Sequence, residues 1–231
     1  MKNWCPRFKV VLWKTVKWFF ILSILSVIVF RFVPVPFTPL MLIRCVEQMT
    51  DEKRELRLKK DWEPLKNISA ALPLAVITSE DQKFEDHFGL DMEAIQKASA
   101  YNERHKSKKR GASTISQQVA KNLFLWPARS YVRKAFEVYF TVLIEVFWSK
   151  HRIMEVYLNI VELGDGVYGA EAASDFYYKK PAKSLSIQES ASIAAILPLP
   201  LKWSPTKPNA RVTKRKNWIL SHMKYVDVKD F

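Results

Sequence analysis

The chain has 231 residues, 48 % of them hydrophobic and 13 % aromatic, with only five glycines and two cysteines. Its 37 Lys and Arg against 23 Asp and Glu leave a formal net charge of +14. That composition excludes a disulfide scaffold, a cysteine zinc site and a turn-rich β fold. It predicts a mainly α protein with a substantial core, one sizeable domain plus an appendage.

The appendage comes first. "WFFILSILSVIVF", Trp18 to Phe30, carries no charge, and apolar residues continue through Phe32 and Val33. A membrane span needs about 20 predominantly apolar residues. Val10, Val11, Leu12, Trp13 and Val16 supply the missing length, with Lys14 and Lys17 able to snorkel toward headgroups. Lys2, Arg7, Lys9, Lys14 and Lys17 stand before or early in the run, and no acid occurs before Glu47. The positive-inside rule therefore places residues 1–9 in the cytoplasm, an anchor over 10–33 and the bulk of the chain outside. The run ends in "FRFVPVPF", bulky where a cleaved signal peptide requires small residues, so an uncleaved anchor is expected. Six cations lie in residues 1–33, leaving +8 for the rest. A basic domain tethered outside a membrane suits an anionic lipid surface or an anionic lipid-linked substrate, and does not meet nucleic acid. Cys5 and Cys45 fall on opposite sides of the membrane and cannot pair.

Residues 34–67 read as a linker and membrane-proximal segment: a proline-rich stretch, an amphipathic run around Leu40–Met49, then the mixed-charge "DEKRELRLKKDWEPL". The domain proper is expected over 68–231. Its elements in order are a helix over "NISAALPLAVITSEDQKF" with Pro73 in its first turn, and a second over "GLDMEAIQKASAYNERH". A basic loop, "RHKSKKRGA", leads to a third helix, "STISQQVAKNLFL", where Thr114 and Gln117 have capping-box spacing. Ser130 N-caps a long helix through "SYVRKAFEVYFTVLIEVFWS"; "KHRIMEVYLNIVEL", "AEAASDFYY" and "SIQESASIAAIL" complete the helices.

Three stretches carry chemistry. In "SEDQKFEDH", Glu80 follows Val76 and Ile77 at i−4 and i−3, which puts its carboxylate at the end of an apolar stripe. Desolvation there raises a carboxyl pKa toward the range useful for general acid–base work. A wet helix end whose acids compensate nearby lysines is the plainer reading, and both stay open. In "GASTISQQVAKN", Thr114, Gln118, Lys121 and Asn122 share a face opposite Ile115, Val119 and Leu123. That polar face suits sugars or phosphates, and is equally compatible with an ordinary amphipathic helix. In "RKAFEVYFTVLIEVFW", a narrow stripe of Arg133, Lys134, Glu137, Thr141 and Glu145 runs along an otherwise apolar helix. Such a stripe must be satisfied, by an internal Arg133–Glu137 ion pair or by a cleft whose cations meet an anionic leaving group.

Together these stretches closely resemble the glycosyltransferase family that polymerises peptidoglycan from lipid II. "EDQKFEDHFGLD", "GASTISQQVAKN", "RKAFE" and "KHRIMEVYLN" resemble its first four motifs in order, and "YGAEAASDFYY" approximates the fifth, with Tyr178 where phenylalanine is common. The resemblance covers about residues 35–205 and is to the monofunctional type. It implies a lysozyme-like helical head, a smaller membrane-associated jaw to which residues near 36–66 and the segment after Asp91 contribute, and the N-terminal transmembrane helix. It implies Glu80 as general base on the 4-hydroxyl of lipid II N-acetylglucosamine, and Glu137 as a second essential glutamate that positions substrate or metal, or supports the leaving group. Lys121, Arg133 and Lys134 would face the departing diphosphate, while Asp81, His87, Thr114, Gln118 and Asn122 would shape the sugar subsites. Glu85 and Asp86 are bystanders. No nucleotide sugar is implied. A divalent cation, Mg or Mn, could assist the diphosphate, although the chain has no dedicated metal-ligand motif. The expected setting is the inner membrane of a diderm bacterium, with lipid II, the growing strand, the membrane and other cell-wall synthesis proteins as partners. Two rivals are a membrane-anchored lysozyme-like hydrolase or lytic transglycosylase, which has no use for the cations of "RKAFE", and a non-catalytic lipid II-binding scaffold.

Overall fold

The computed structural model describes residues 6–52, 54–105, 110–128 and 130–226. The expectations for Cys5, for the first residues of the cytoplasmic segment and for the centre of the basic loop lie outside them. The chain divides into two compact units, residues 1–34 and 35–231.

In the first unit, α1 (Pro6–Phe32) is one unbroken helix, and its stretch Phe8–Phe32 is long and apolar enough to cross a membrane. Its hydroxyls do not interrupt the apolar surface. Thr15 donates to the Val11 carbonyl, Ser23 to Phe20 and Ser26 to Ser23, so each is satisfied on its own helix.

The second unit opens with α2 (Pro39–Thr50), N-capped by Thr38, whose side chain accepts from the Met41 amide. Met41 and Gln48 turn inward, while Leu42, Val46 and Met49 at i, i+4 and i+7 leave an exposed apolar stripe. Polar ties fasten this segment down: Arg44 to Glu162, Gln48 to Asp165 at 2.8 Å, and Arg54 to Asp165. Burial pushes the Glu162 carboxyl up despite Arg44, whereas the Arg54 hydrogen bond holds Asp165 down. A small sheet completes the join. β1 (Lys59–Lys60) runs parallel to β3 (Val167–Tyr168), and β3 pairs antiparallel with β2 (Glu162–Gly164) across an irregular register.

The core is helical. α3 (Ala71–Glu80) buries six of its ten residues and packs against α9 (Ile187–Ile196), where Ala191, Ala194 and Ala195 permit close approach. α10 (Ala210–His222) closes over α9 and α3. On the other side, α5 (Ile115–Phe124) packs on α6 (Tyr131–Phe147) and α7 (Lys150–Ile160), burying Ile115, Val119, Ile144, Ile153 and Tyr157. α8 (Ala170–Tyr178) lies beside the sheet. α4 (Met92–Arg104) buries no residue at all.

The capping box on α5 and the Ser130 cap on α6 form as the sequence predicts. Three features depart from it. The first helix stops at Glu80 instead of reaching Phe84, because Asp81 takes φ −160° and ψ 75° to spend its carboxylate on two distant partners. "VEL" after α7 contributes to strand β2 and not to the helix. The helix α10 was not anticipated, since its buried Val212 and Ile219 are only two apolar anchors among many cations.

Candidate active site

Glu80 is the last residue of α3, and every element around it supplies a partner. Its Oε1 accepts from the Arg215 guanidinium at 2.6 Å and from Ser79 Oγ at 3.0 Å, and its Oε2 accepts from Gln118 Nε2 at 3.2 Å. Arg215 also donates to the Ser79 hydroxyl at 2.7 Å, which ties the end of α3 to α10. Gln118 is in turn held by the hydroxyl of Tyr157 at 3.3 Å. The carboxylate is therefore not left among apolar neighbours, as the stripe on α3 suggested. It is oriented by a cation and two neutral donors.

Asp81 works differently from its neighbour. It is buried, its Oδ2 accepts the Ile115 amide at 2.9 Å, and its Oδ1 lies 2.9 Å from His87 Nε2. A carboxylate at the first amide of α5 satisfies an otherwise orphaned donor and complements the helix dipole. His87 thus supports Asp81, and Asp81 docks α5 beside α3. Thr114, also buried, donates to the Gly89 carbonyl at 2.6 Å while its oxygen caps α5. Asp81, His87 and Thr114 thus hold the motifs together, with His87 Nδ1 left buried without a hydrogen-bond partner.

Two cavities flank this arrangement. The first, about 530 Å³, contains Glu80 and is lined by Lys83, Glu93, Lys97, Arg110 and Trp218 among others. The second, about 490 Å³, is lined by Lys121, Asn122, Arg133, Arg44, Leu40 and Trp126 among others. α5 connects them, with Gln118 on Glu80 and Lys121 one turn further on. Burial, with Arg133 and Lys134 nearby, pushes the Lys121 ammonium below its usual range. Glu137 is buried, its Oε2 accepting from Arg133 at 2.6 Å and its Oε1 paired with Lys134. Arg133 keeps its Nε buried without a hydrogen-bond partner. Of the two readings of the α6 stripe, the ion pair forms, and Arg133 also lines the second cavity. Further along, Glu145 is satisfied by Ser116 and by Lys150 at 2.8 Å.

Of the ten residues singled out from the sequence, Glu80, Asp81 and Thr114 line the first cavity and Lys121, Asn122 and Arg133 line the second. The other four line neither: His87 is bonded to Asp81, Gln118 to Glu80, and Glu137 to Arg133 and Lys134. Arg215, Tyr157, Ser79, Arg44 and Trp218 were missed. The run "KRKNW" held the only local signal for two of them, and basic runs on helices are usually solvated faces. Among the described residues no group of three or more His, Cys, Asp or Glu is arranged to hold a metal ion. The donors of the second cavity fit an anion.

A family model described as Transglycosylase matches residues 47–224, α10 included, and the chain belongs to that family of helical, lysozyme-like glycosyltransferase domains. Its relatives sharpen the placement. The chain is 53 % identical over 206 residues to the biosynthetic peptidoglycan transglycosylase of Pseudomonas putida (strain GB-1), covering 89 % of this chain and 86 % of that protein. It is 50 % identical over 210 residues to the protein of the same name from Bdellovibrio bacteriovorus (strain ATCC 15356 / DSM 50701 / NCIMB 9529 / HD100), covering 91 % and 83 % respectively.

Proposed function

We propose that this protein is a peptidoglycan glycosyltransferase that polymerises glycan strands. It transfers the growing, lipid-pyrophosphate-linked chain onto the N-acetylglucosamine 4-hydroxyl of lipid II, forming a β-1,4 bond with inversion and releasing undecaprenyl diphosphate. The observation that carries this reading is the layout of α5, which holds the base through Gln118 and the cationic cavity through Lys121 on one short helix. A hydrolase of the lysozyme type has no diphosphate to hold.

Glu80 accepts the proton of the attacking hydroxyl. Its Oε1 is engaged by Arg215 and Ser79, while Oε2 receives one hydrogen bond and retains acceptor capacity for substrate. As the O4–C1 bond forms, the bond from C1 to the diphosphate oxygen breaks and the electron pair leaves on the diphosphate. Lys121 and Arg133, drawn into a partly desolvated cavity before substrate arrives, stabilise that developing charge. With both oxygens committed, Glu137 positions Arg133 and Lys134. A divalent cation, where one takes part, would arrive on the substrate's diphosphate, since no side-chain cluster among the described residues is built to hold it.

α1 anchors the enzyme in the inner membrane with its N-terminus cytoplasmic and the catalytic unit periplasmic. The exposed stripe of Leu42, Val46 and Met49 lies along the lipid surface from which the substrate is drawn. The test is a gel assay of the full chain in detergent with labelled lipid II. Wild type forms glycan ladders, and Glu80→Gln forms none while still binding lipid II. Ladders from Glu80→Gln would remove the base assignment, and cutting of preformed strands by wild type would move the chain to the hydrolases.

A further inference from the structure

Trp218 lies one helical turn beyond Arg215 on α10 and lines the same cavity as Glu80. It is the only aromatic side chain among the described residues lining that cavity, and 41 % of it is exposed. Single exposed aromatics are common on protein surfaces. This one, however, is fixed. His222, one turn further, stacks on the indole with ring centroids 4.2 Å apart and planes 22° apart. The imidazole is itself held, with Nδ1 2.7 Å from the Trp218 carbonyl oxygen and 2.9 Å from Ser221 Oγ. One face of the indole is thus covered by His222, while Trp218 lines the cavity.

The other lining groups are of a different kind. Lys83, Glu93, Lys97 and Arg110 are long hydrogen-bonding side chains, two of them bound to Glu93. One rigid π surface among such groups matches the two-sided chemistry of a pyranose. Its C–H face is weakly electropositive and settles on the negative face of an aromatic ring, while its hydroxyl and acetamido rim seeks polar partners. A lipid chain would meet too many charges here, and a diphosphate has Lys121 and Arg133 in the other cavity.

We propose that Trp218 is a stacking platform for a sugar ring of the substrate beside Glu80, an inference that rests on the glycan-polymerase reading. The ring comes from incoming lipid II or from the growing strand, whose sugars share this chemistry. The test compares full-length wild type, Trp218→Ala and Trp218→Phe at matched Tm. Trp218→Ala is expected to raise KM for lipid II, or to shorten the strands in the product ladder, by roughly 3- to 10-fold. A raised KM with normal strand length assigns the ring to lipid II; shorter strands at normal KM assign it to the growing chain. Trp218→Phe should restore most of either loss. An alanine variant with unchanged KM and ladder, or a phenylalanine variant as impaired as alanine, overturns the platform while wild-type polymerisation stands. Titration with a tetrasaccharide of alternating N-acetylglucosamine and N-acetylmuramic acid reads the platform without catalysis. Weaker binding by Trp218→Ala supports it even if wild type makes no ladder, and equal binding by both overturns it.

Discussion

At the residue scale the active site is a set of divided carboxylate tasks. Glu80 lines the first cavity, Asp81 accepts the first amide of α5, Glu137 holds two cations and Glu145 receives Ser116 and Lys150. What separates them is their partners, not their type. Lys121 shows the same tension from the basic side. Its ammonium is depressed by burial, so the unfolded chain binds more protons at this position between the folded value and the ordinary value of 10.5. Stability therefore rises with pH through that window, and Lys121 opposes folding at neutral pH. Lys121 still keeps more than a third of its surface exposed, so solvent screens much of this cost, and Lys121→Met should raise Tm at pH 7.5 only slightly while abolishing glycan ladders. The Tm advantage should shrink as pH approaches 10.5. A thermal melt series shows this directly, and a variant less stable than wild type at pH 7.5 would contradict it.

At the element scale, α5 is positioned from both ends of its first turn and along one flank. Asp81 and Thr114 fix its N-terminus, and Thr114 reaches Gly89, which has φ +78°. Gly89 sits so close to α6 that an added Cβ would lie 2.6 Å from Thr141 Cγ2 and 2.9 Å from Glu145 Cγ. Gly89→Ala combines left-handed strain with a clash against a packed helix, costing about 2–4 kcal/mol. Tm should fall by roughly 5–15 °C. Gly111→Ala is the control, because a Cβ there meets nothing within 4 Å, and its Tm should match wild type. The legibility of these elements follows the range of their contacts. The α5 capping box is an exchange over three residues, so Thr114 and Gln117 announce it. The early end of α3 depends on Asp81 reaching Ile115, 34 positions away, and nothing near Asp81 in the chain signals that. Strands of two or three residues have no period to read. Tyr157 looked like an ordinary helix residue, and only the fold makes it a neighbour of Gln118, 39 positions away.

At the scale of the whole molecule, the long apolar run and its basic flank were the plainest features of the sequence, and α1 is a continuous helix. Because residues 35–231 form a compact unit with its own core, a protein lacking residues 1–34 should keep its helical circular dichroism and a cooperative melt. Its association with anionic vesicles should weaken at least tenfold and become reversible by salt, since the remaining attraction is that of a basic domain and one short apolar stripe. Co-sedimentation at low and high ionic strength measures both. Loss of the cooperative melt would show instead that the second unit depends on the first.

The ion pair between Arg215 and Glu80 spans 135 positions of the chain. For a protein made from its N-terminus onward, that separation is also an interval of time. The base, the cations of α6 and the cap of α5 are all synthesised well before the guanidinium that orients the base. The ion pair of Glu80 therefore waits on one of the last segments to be made, the helix α10 that packs over α9.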